Sequence, residues 1–298
     1  MQAAMSRTVL FFGDSNTRGY GAGRERSFAK VIAGALPAPL AAAWRVASAG
    51  ADSDFRAIPP RLDAALAKHR PAILVCQCPT GPLAYFVQYP PWLARIRGVY
   101  NAFFQWRRER GITADLRRRP PDQRTRREAL YDGRYVDTLY RWRPASWPIT
   151  RHANRILAAR YGLVVKATRE RYLELMARQR DRIRAQTSAV VLFLGPFPHD
   201  ESFYPGFGAR VRAWSEDLAA LLHRPAEGST YLDVYRPLTV ESPGRYLLRD
   251  GAHLTAEGHR RVAHLILPTL VALMHEVGAA SAPGRGPASP DITDAPEG

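Results

Sequence analysis

Apolar residues fall along this chain in two rhythms. Thr8–Phe12 and Ala72–Cys78 are nearly unbroken apolar runs, stopped by turn residues at Gly13 and Pro79. Runs of that length suit strands buried on both faces. Trp44–Ala47, Ala189–Leu194 and Tyr231–Val234 are further short runs of the same kind. Between them lie stretches with helical spacing: Phe28–Leu36, Phe55–His69, Asn154–Arg160, Arg169–Gln186, Val211–Leu222 and Thr255–Val277. Leu62, Ala65, Leu66 and Ala67 mark the apolar face of one of them. Pro37 and Pro71 stop two of these helices, and Pro268 predicts an interruption in the last. Five strands alternating with helices predict an α/β fold with a doubly wound, mostly parallel sheet. Ligands of such sheets sit at the carboxyl ends of the strands. That rule selects Gly13–Asn16, Ser48–Gly50, Pro79–Gly81 and Gly195–Pro198.

The alternation stops at Pro79 and resumes near Thr150. The stretch 79–150 mixes aromatic residues with arginine; Arg95–Arg151 holds 15 arginines against 6 acidic residues. A segment this long between strands is uncommon unless it has a function. It follows the third strand, so a lid-like insert over the carboxyl ends is expected, with Tyr85 and Phe86 as candidate substrate-binding residues in its first part. From Gly278 the chain turns to Ala, Ser, Pro and Gly, which predicts a disordered tail over 278–298. Residues 1–277 are expected to form a single domain.

Composition adds bounds. Of 298 residues, 46% are hydrophobic, enough for a sizeable core. There is no basic start followed by an apolar stretch, and no run approaches the ~20 apolar residues of a membrane span. A cytoplasmic, reduced protein is expected. Cys76 and Cys78 are too few for a disulfide framework or a zinc site, and are expected in the core. The net charge is +16, almost all from arginine. Codon bias explains such a composition; so does an anionic partner, whose phosphate or carboxylate suits the guanidinium fork.

Ser15 follows the first strand through the turn Gly13-Asp14. A hydroxyl there needs a base to become a nucleophile. Asp250-Gly251-Ala252-His253 offers one: a carboxylate that fixes the imidazole tautomer, just ahead of the last helix. Thr255 is placed to cap that helix. Asp14 suits a turn that bonds its own backbone. Asn16 suits either the site or a helix cap. His259 and His264 are expected on the solvated face of the last helix, and His199 lies near the end of the fourth strand without an obvious role.

Gly13-Asp14-Ser15-Asn16-Thr17 near the start, with Asp250-x-x-His253-Leu-Thr and Gly258 near the end, resembles the SGNH (GDSL-type) hydrolase family. The resemblance covers roughly 6–78 and 151–277. It implies a three-layer flavodoxin-like fold with a five-stranded sheet, and ester or thioester chemistry through an acyl-enzyme on Ser15. It implies no metal or cofactor. The family's oxyanion donors map to the N–H of Ser15 and to Gly50. The third, an Asn in a Gly-x-Asn-Asp stretch, is absent: Cys78-Pro79-Thr80-Gly81 stands there, with Thr80 in register and Gln77 as a substitute if it faces the site. Loss of one such donor costs on the order of 10²–10³ in rate. Thr80 replaces the Asn, an arginine of the insert supplies the charge, or the frame has left ester hydrolysis.

The expected partner is a small acyl substrate, with an anionic or carrier-protein-bound one favoured by the arginines, and no membrane. Acyl transfer, or a repurposed non-hydrolytic reaction in biosynthesis, is the alternative within this fold. A basic nucleic-acid-binding protein is the alternative outside it. The chain lacks zinc-finger, RNP-like and zipper spacings, so nucleic acid is the weaker expectation.

Overall fold

The computed structural model describes residues 7–50, 58–88, 90–96, 98–99, 102, 106, 146–165, 167–201, 204–240, 243–248 and 251–280. Five strands form one parallel sheet: β1 (Arg7–Gly13), β2 (Trp44–Gly50), β3 (Ile73–Gln77), β6 (Val190–Leu194) and β7 (Ser229–Leu232), in the order β2-β1-β3-β6-β7. This is the flavodoxin-like order, whose switch point lies between β1 and β3. The two unbroken apolar runs of the sequence are these two central strands.

Alternation along β1 sets the layers. Val9 and Phe11 point to one face, where they pack with α1 (Phe28–Ala35) and α9 (Ala256–Ala280). Leu10 and Phe12 point to the other, against α3 (Ile58–His69), α5 (Arg169–Gln186) and α6 (Phe207–Leu222). Helix–sheet–helix layering follows, because a strand apolar on both faces must be covered on both.

Local chemistry fixes the helix ends. α3 opens on Ile58-Pro59-Pro60, and proline is tolerated there because the first turn has no N–H partner to lose. It closes on Arg70, whose φ of 41° is left-handed and whose N–H bonds Leu66 O at 2.9 Å. Thr168 caps α5 by accepting from Arg171 N–H at 3.3 Å. Thr255 caps α9 by accepting from Gly258 N–H at 3.0 Å, as its position predicts.

Several expectations are corrected. α9 runs through Pro268 without a break; the proline sits on the exposed side, where the carbonyl it strands can meet water. The same helix continues to Ala280, past the expected start of the tail; residues 281–298 lie outside the described residues. α9 is long and apolar enough to cross a bilayer by length and composition alone. In this fold Val262, Ile266, Leu270 and Met274 bury its apolar stripe against the sheet. His264 is exposed as expected, but His259 is fully buried.

The pattern along the sequence also left elements out. α2 (Ala38–Ala43), α7 (Tyr235–Val240) and α8 (Pro243–Tyr246) were not anticipated. Neither was a two-stranded antiparallel ribbon of β4 (Tyr85–Val87) and β5 (Leu163–Val165). α4 (Ser146–Tyr161) begins inside the stretch assigned to the insert. Most of that insert, 107–145 included, lies outside the described residues, and so does the lid expected of it.

Arginine is partly neutralised within the frame. Arg169 grips Asp217 with two bonds of 2.8 and 2.6 Å, and Arg182 and Gln186 of α5 hold Asp63 of α3. The Arg182 guanidinium keeps the Asp63 carboxyl below its ordinary range. Such exposed pairs contribute little each, but they join α5 to its neighbours.

Candidate active site

The site is built from two loops far apart in sequence. The first leaves β1 at Gly13. Asp14 Oδ1 accepts from Asn16 N–H at 2.8 Å, the self-bonded turn its position suggests. Tyr20 N–H returns to Ser15 O at 3.0 Å and Gly19 N–H to Asn16 O at 2.9 Å. Gly19, at φ 76°, takes a conformation that costs a side-chain-bearing residue about 1–2 kcal/mol. The turn therefore holds Ser15 by its backbone and leaves its hydroxyl to point outward.

Beneath the turn, Thr17 Oγ1 donates to Gln77 Oε1 at 2.6 Å, and both residues are buried. A side chain at Gly13 would strike this pair: its Cβ would lie 2.6 Å from Gln77 Oε1. Burial pushes the Asp14 carboxyl above its usual range, while the hydrogen bond from Asn16 N–H, the nearby Gln77 amide and the charges of His253 and Arg18 pull it back. Gly50 ends β2 opposite Gly13, with the stem of Arg18 packed on it.

The second loop leads into α9. Gly251, at φ 70°, reverses the chain, and Leu248 N–H bonds His253 O at 2.6 Å. Gly258 lets α9 approach α8: a Cβ there would collide with the Tyr246 carbonyl. Asn16 fastens the two loops together. Its Oδ1 accepts from Leu254 N–H at 2.9 Å and its Nδ2 donates to Ala252 O at 3.4 Å. His253 Nε2 consequently stands 2.8 Å from Ser15 Oγ, across 238 residues of sequence. That is the reach a base needs to take a hydroxyl proton.

The other candidates divide. Asp250 lies outside the described residues. Asn16, which suits either the site or a helix cap, is buried and gives its side chain to the His253 loop. Gln77 is also buried, with its amide turned into the Ser15 loop rather than to an open face. Thr80 is buried just past β3, and its hydroxyl has no partner among the described residues. Tyr85 and Phe86 sit on β4, in register with Val165 and Val164. Cys76 and Cys78 are buried and free, and burial pushes the Cys76 thiol up to about 12, far from a reactive thiolate.

No family model matches the chain, and no curated protein is close enough in sequence to count as a match. Solved structures do match. A lipase/acylhydrolase from Enterococcus faecalis aligns over 89% of this chain and 96% of its own, with a TM-score of 0.50 and 14% identity. TesA aligns over 90% and 99%, with a TM-score of 0.50 and 16% identity. LAE5, an α/β hydrolase enzyme from the metagenome of Lake Arreo, Spain, aligns over 91% and 99%, with a TM-score of 0.51 and 12% identity. The chain has the SGNH-hydrolase fold.

On that SGNH frame, three residues near the site carried no expectation of a role. Tyr20 lays its ring against His253, with centroids 4.4 Å apart and planes at 40°. His259 accepts from Phe28 N–H through Nδ1 at 3.3 Å, and burial holds its pKa down at about 3. It is a neutral imidazole behind the His253 loop. Tyr235 opens on a cavity of about 570 Å³ shared with His199, Glu201 and Arg212. The cavity backs onto the same loop, since Asp200 N–H bonds Gly251 O at 2.7 Å. Glu201 there is occupied by the Gly206 and Gly208 N–H groups. His199 Nδ1 is 2.9 Å from Pro198 O, to which it can only donate.

Proposed function

We propose that this protein cleaves esters or thioesters through an acyl-enzyme on Ser15. The contact of 2.8 Å between Ser15 Oγ and His253 Nε2, at the switch point of an SGNH frame, carries the reading. Ser15 Oγ attacks the acyl carbonyl and its proton passes to His253 Nε2. The imidazolium then returns that proton to the leaving alcohol or thiol. Asp250, three residues before His253, is the carboxylate that orients the ring in this scheme. Water attacks the acyl-enzyme with His253 again as base, releasing the acid and freeing Ser15.

The N–H groups of Ser15 and Gly50 are the proposed oxyanion donors. The hydroxyl of Thr80, buried and without a partner among the described residues, is the proposed third donor, in place of the missing Asn. An anionic or carrier-bound substrate rests on the arginines of 95–151, and is the reading the composition favours. Transfer to an alcohol or amine would use the same acyl-enzyme.

A fluorophosphonate probe and p-nitrophenyl esters of graded chain length test the proposal beside Ser15→Ala. Labelling and turnover that vanish in the variant are the expected result. Turnover that survives in Ser15→Ala, or a folded protein that neither labels nor turns over, overturns it. Activity should fall as pH drops and His253 becomes protonated; a rate flat through the acid range would remove His253 as base.

A further inference from the structure

The loop that carries the nucleophile also carries a surface for the base. Tyr20 is five residues past Ser15, and its N–H closes the turn on Ser15 O at 3.0 Å. Glycines at positive φ flank it, Gly19 at 76° and Gly21 at 84°, so the backbone there adopts a path that lifts the ring out of the turn. The ring ends 4.4 Å from the His253 imidazole, tilted by 40°. No other ring among the described residues is paired with His253 in this way. Asn16 holds the His253 loop by its backbone, at Ala252 and Leu254. Among the described residues, Ser15 Oγ meets one nitrogen of the imidazole and the Tyr20 ring packs against the imidazole itself, beside the orienting role proposed for Asp250.

We propose that Tyr20 is a positioning residue for His253, holding the imidazole in line with Ser15 Oγ and favouring its cationic form when the serine proton is taken. This rests on the reading of Ser15 and His253 as nucleophile and base. The physical basis is twofold. A ring packed on the imidazole removes rotamers that point away from Ser15. The aromatic face also attracts the imidazolium, within the ~6 Å range over which such contacts act. Other groups that bear on His253 are the Asp14 carboxylate, the neutral His259 and, in sequence, Asp250. None of them lies in Tyr20, so changing the ring leaves them in place.

The test uses Tyr20→Phe, Tyr20→Leu and Tyr20→Ala in the full chain, with thermal melts to confirm folding. Tyr20→Phe keeps the ring and should retain kcat to within roughly threefold. Tyr20→Leu and Tyr20→Ala should lower kcat by on the order of tenfold with KM little changed, because the contact is to the base and not to substrate. Their acid limb should move to lower pH, since the cation loses a favourable neighbour. The same shift should appear in the His253 imidazole proton resonance, assigned with a His253→Gln spectrum; this is read without any substrate. Wild-type kcat and an unmoved His253 titration in Tyr20→Leu would overturn the inference while leaving Ser15 chemistry standing. Equal losses in Tyr20→Phe and Tyr20→Ala would overturn it too, by giving the role to the hydroxyl. If Ser15→Ala proves as active as wild type, the parent reading is gone, and the titration alone decides whether Tyr20 governs His253.

Discussion

The two walls of the site are built differently. On the β1 side, Asp14, Asn16, Thr17 and the backbone of Ser15 all have defined hydrogen-bond partners, and the Asn16 amide reaches across to fasten the His253 loop. On the β3 side, Thr80 is equally buried but its hydroxyl is bonded to nothing described. A buried hydroxyl without a partner costs free energy, about 1–3 kcal/mol in mutational data. The first wall is fixed before any substrate arrives. The second holds a hydroxyl with no partner among the described residues, the group proposed above as an oxyanion donor.

Thr80→Val is the sharpest way to break this contrast. It keeps the shape and removes the idle donor. If Thr80 serves the oxyanion, kcat falls by on the order of 10²-fold while thermal stability holds or rises. A stability loss without a kinetic one would place the hydroxyl in the structure and not in the reaction. On the other wall, Asn16→Ala should act in the opposite manner. It strands the Leu254 N–H and unfastens the His253 loop, with a loss of about 1–3 kcal/mol in denaturant unfolding and a lower kcat. An unchanged unfolding midpoint would show that the clamp is dispensable.

His259 sharpens the comparison through pH. Its ordinary value is 6.5 and burial holds it near 3, so the unfolded chain binds a proton between those limits that the folded chain does not. Its stabilisation is complete above 6.5 and drains away as pH falls toward 3, with a slope of about 1.4 kcal/mol per pH unit. Urea titrations of wild type and His259→Phe at several pH values should differ by that slope; parallel curves would remove it. The smallest effect is expected away from both walls. Arg70→Gly relieves the left-handed φ that closes α3 and should stabilise by about 0.5–1 kcal/mol. No gain in melting temperature would mean that the Arg70 side chain compensates for the strain.

Much of the frame was legible because burial on two faces leaves a plain mark. β1 and β3 carry unbroken apolar runs, and α5 starts and ends where its helical spacing does. Ser15 and His253 were legible because a strand, a turn and a capped helix surround them. β4 and β5 were not, since three residues each give no period to count, and Leu163 and Val164 remain exposed. The burial of His259 has a mark in the sequence. With Val262, Ala263, Ile266 and Leu270 it shares the apolar face of α9, at spacings of three, four, seven and eleven. Its polarity outweighed its position, although a neutral imidazole with one ring nitrogen satisfied is a tolerable core residue. The bonds of Asn16 and Gln77 were not legible for another reason. Their partners are 238 and 60 residues away, and nothing local announces a bond of that span.

That span has a consequence for how the protein comes into being. The Ser15 loop leaves the ribosome well before the histidine that would activate it, which follows 238 residues later. All five strands of the sheet are made before His253 emerges. A nascent chain can therefore collapse its sheet before Ser15 and His253 meet, and acquires that contact only when α9 docks beside α1. Contacts of such long range are slow to close, so onset of activity during refolding should report arrival of the last helix and not formation of the sheet.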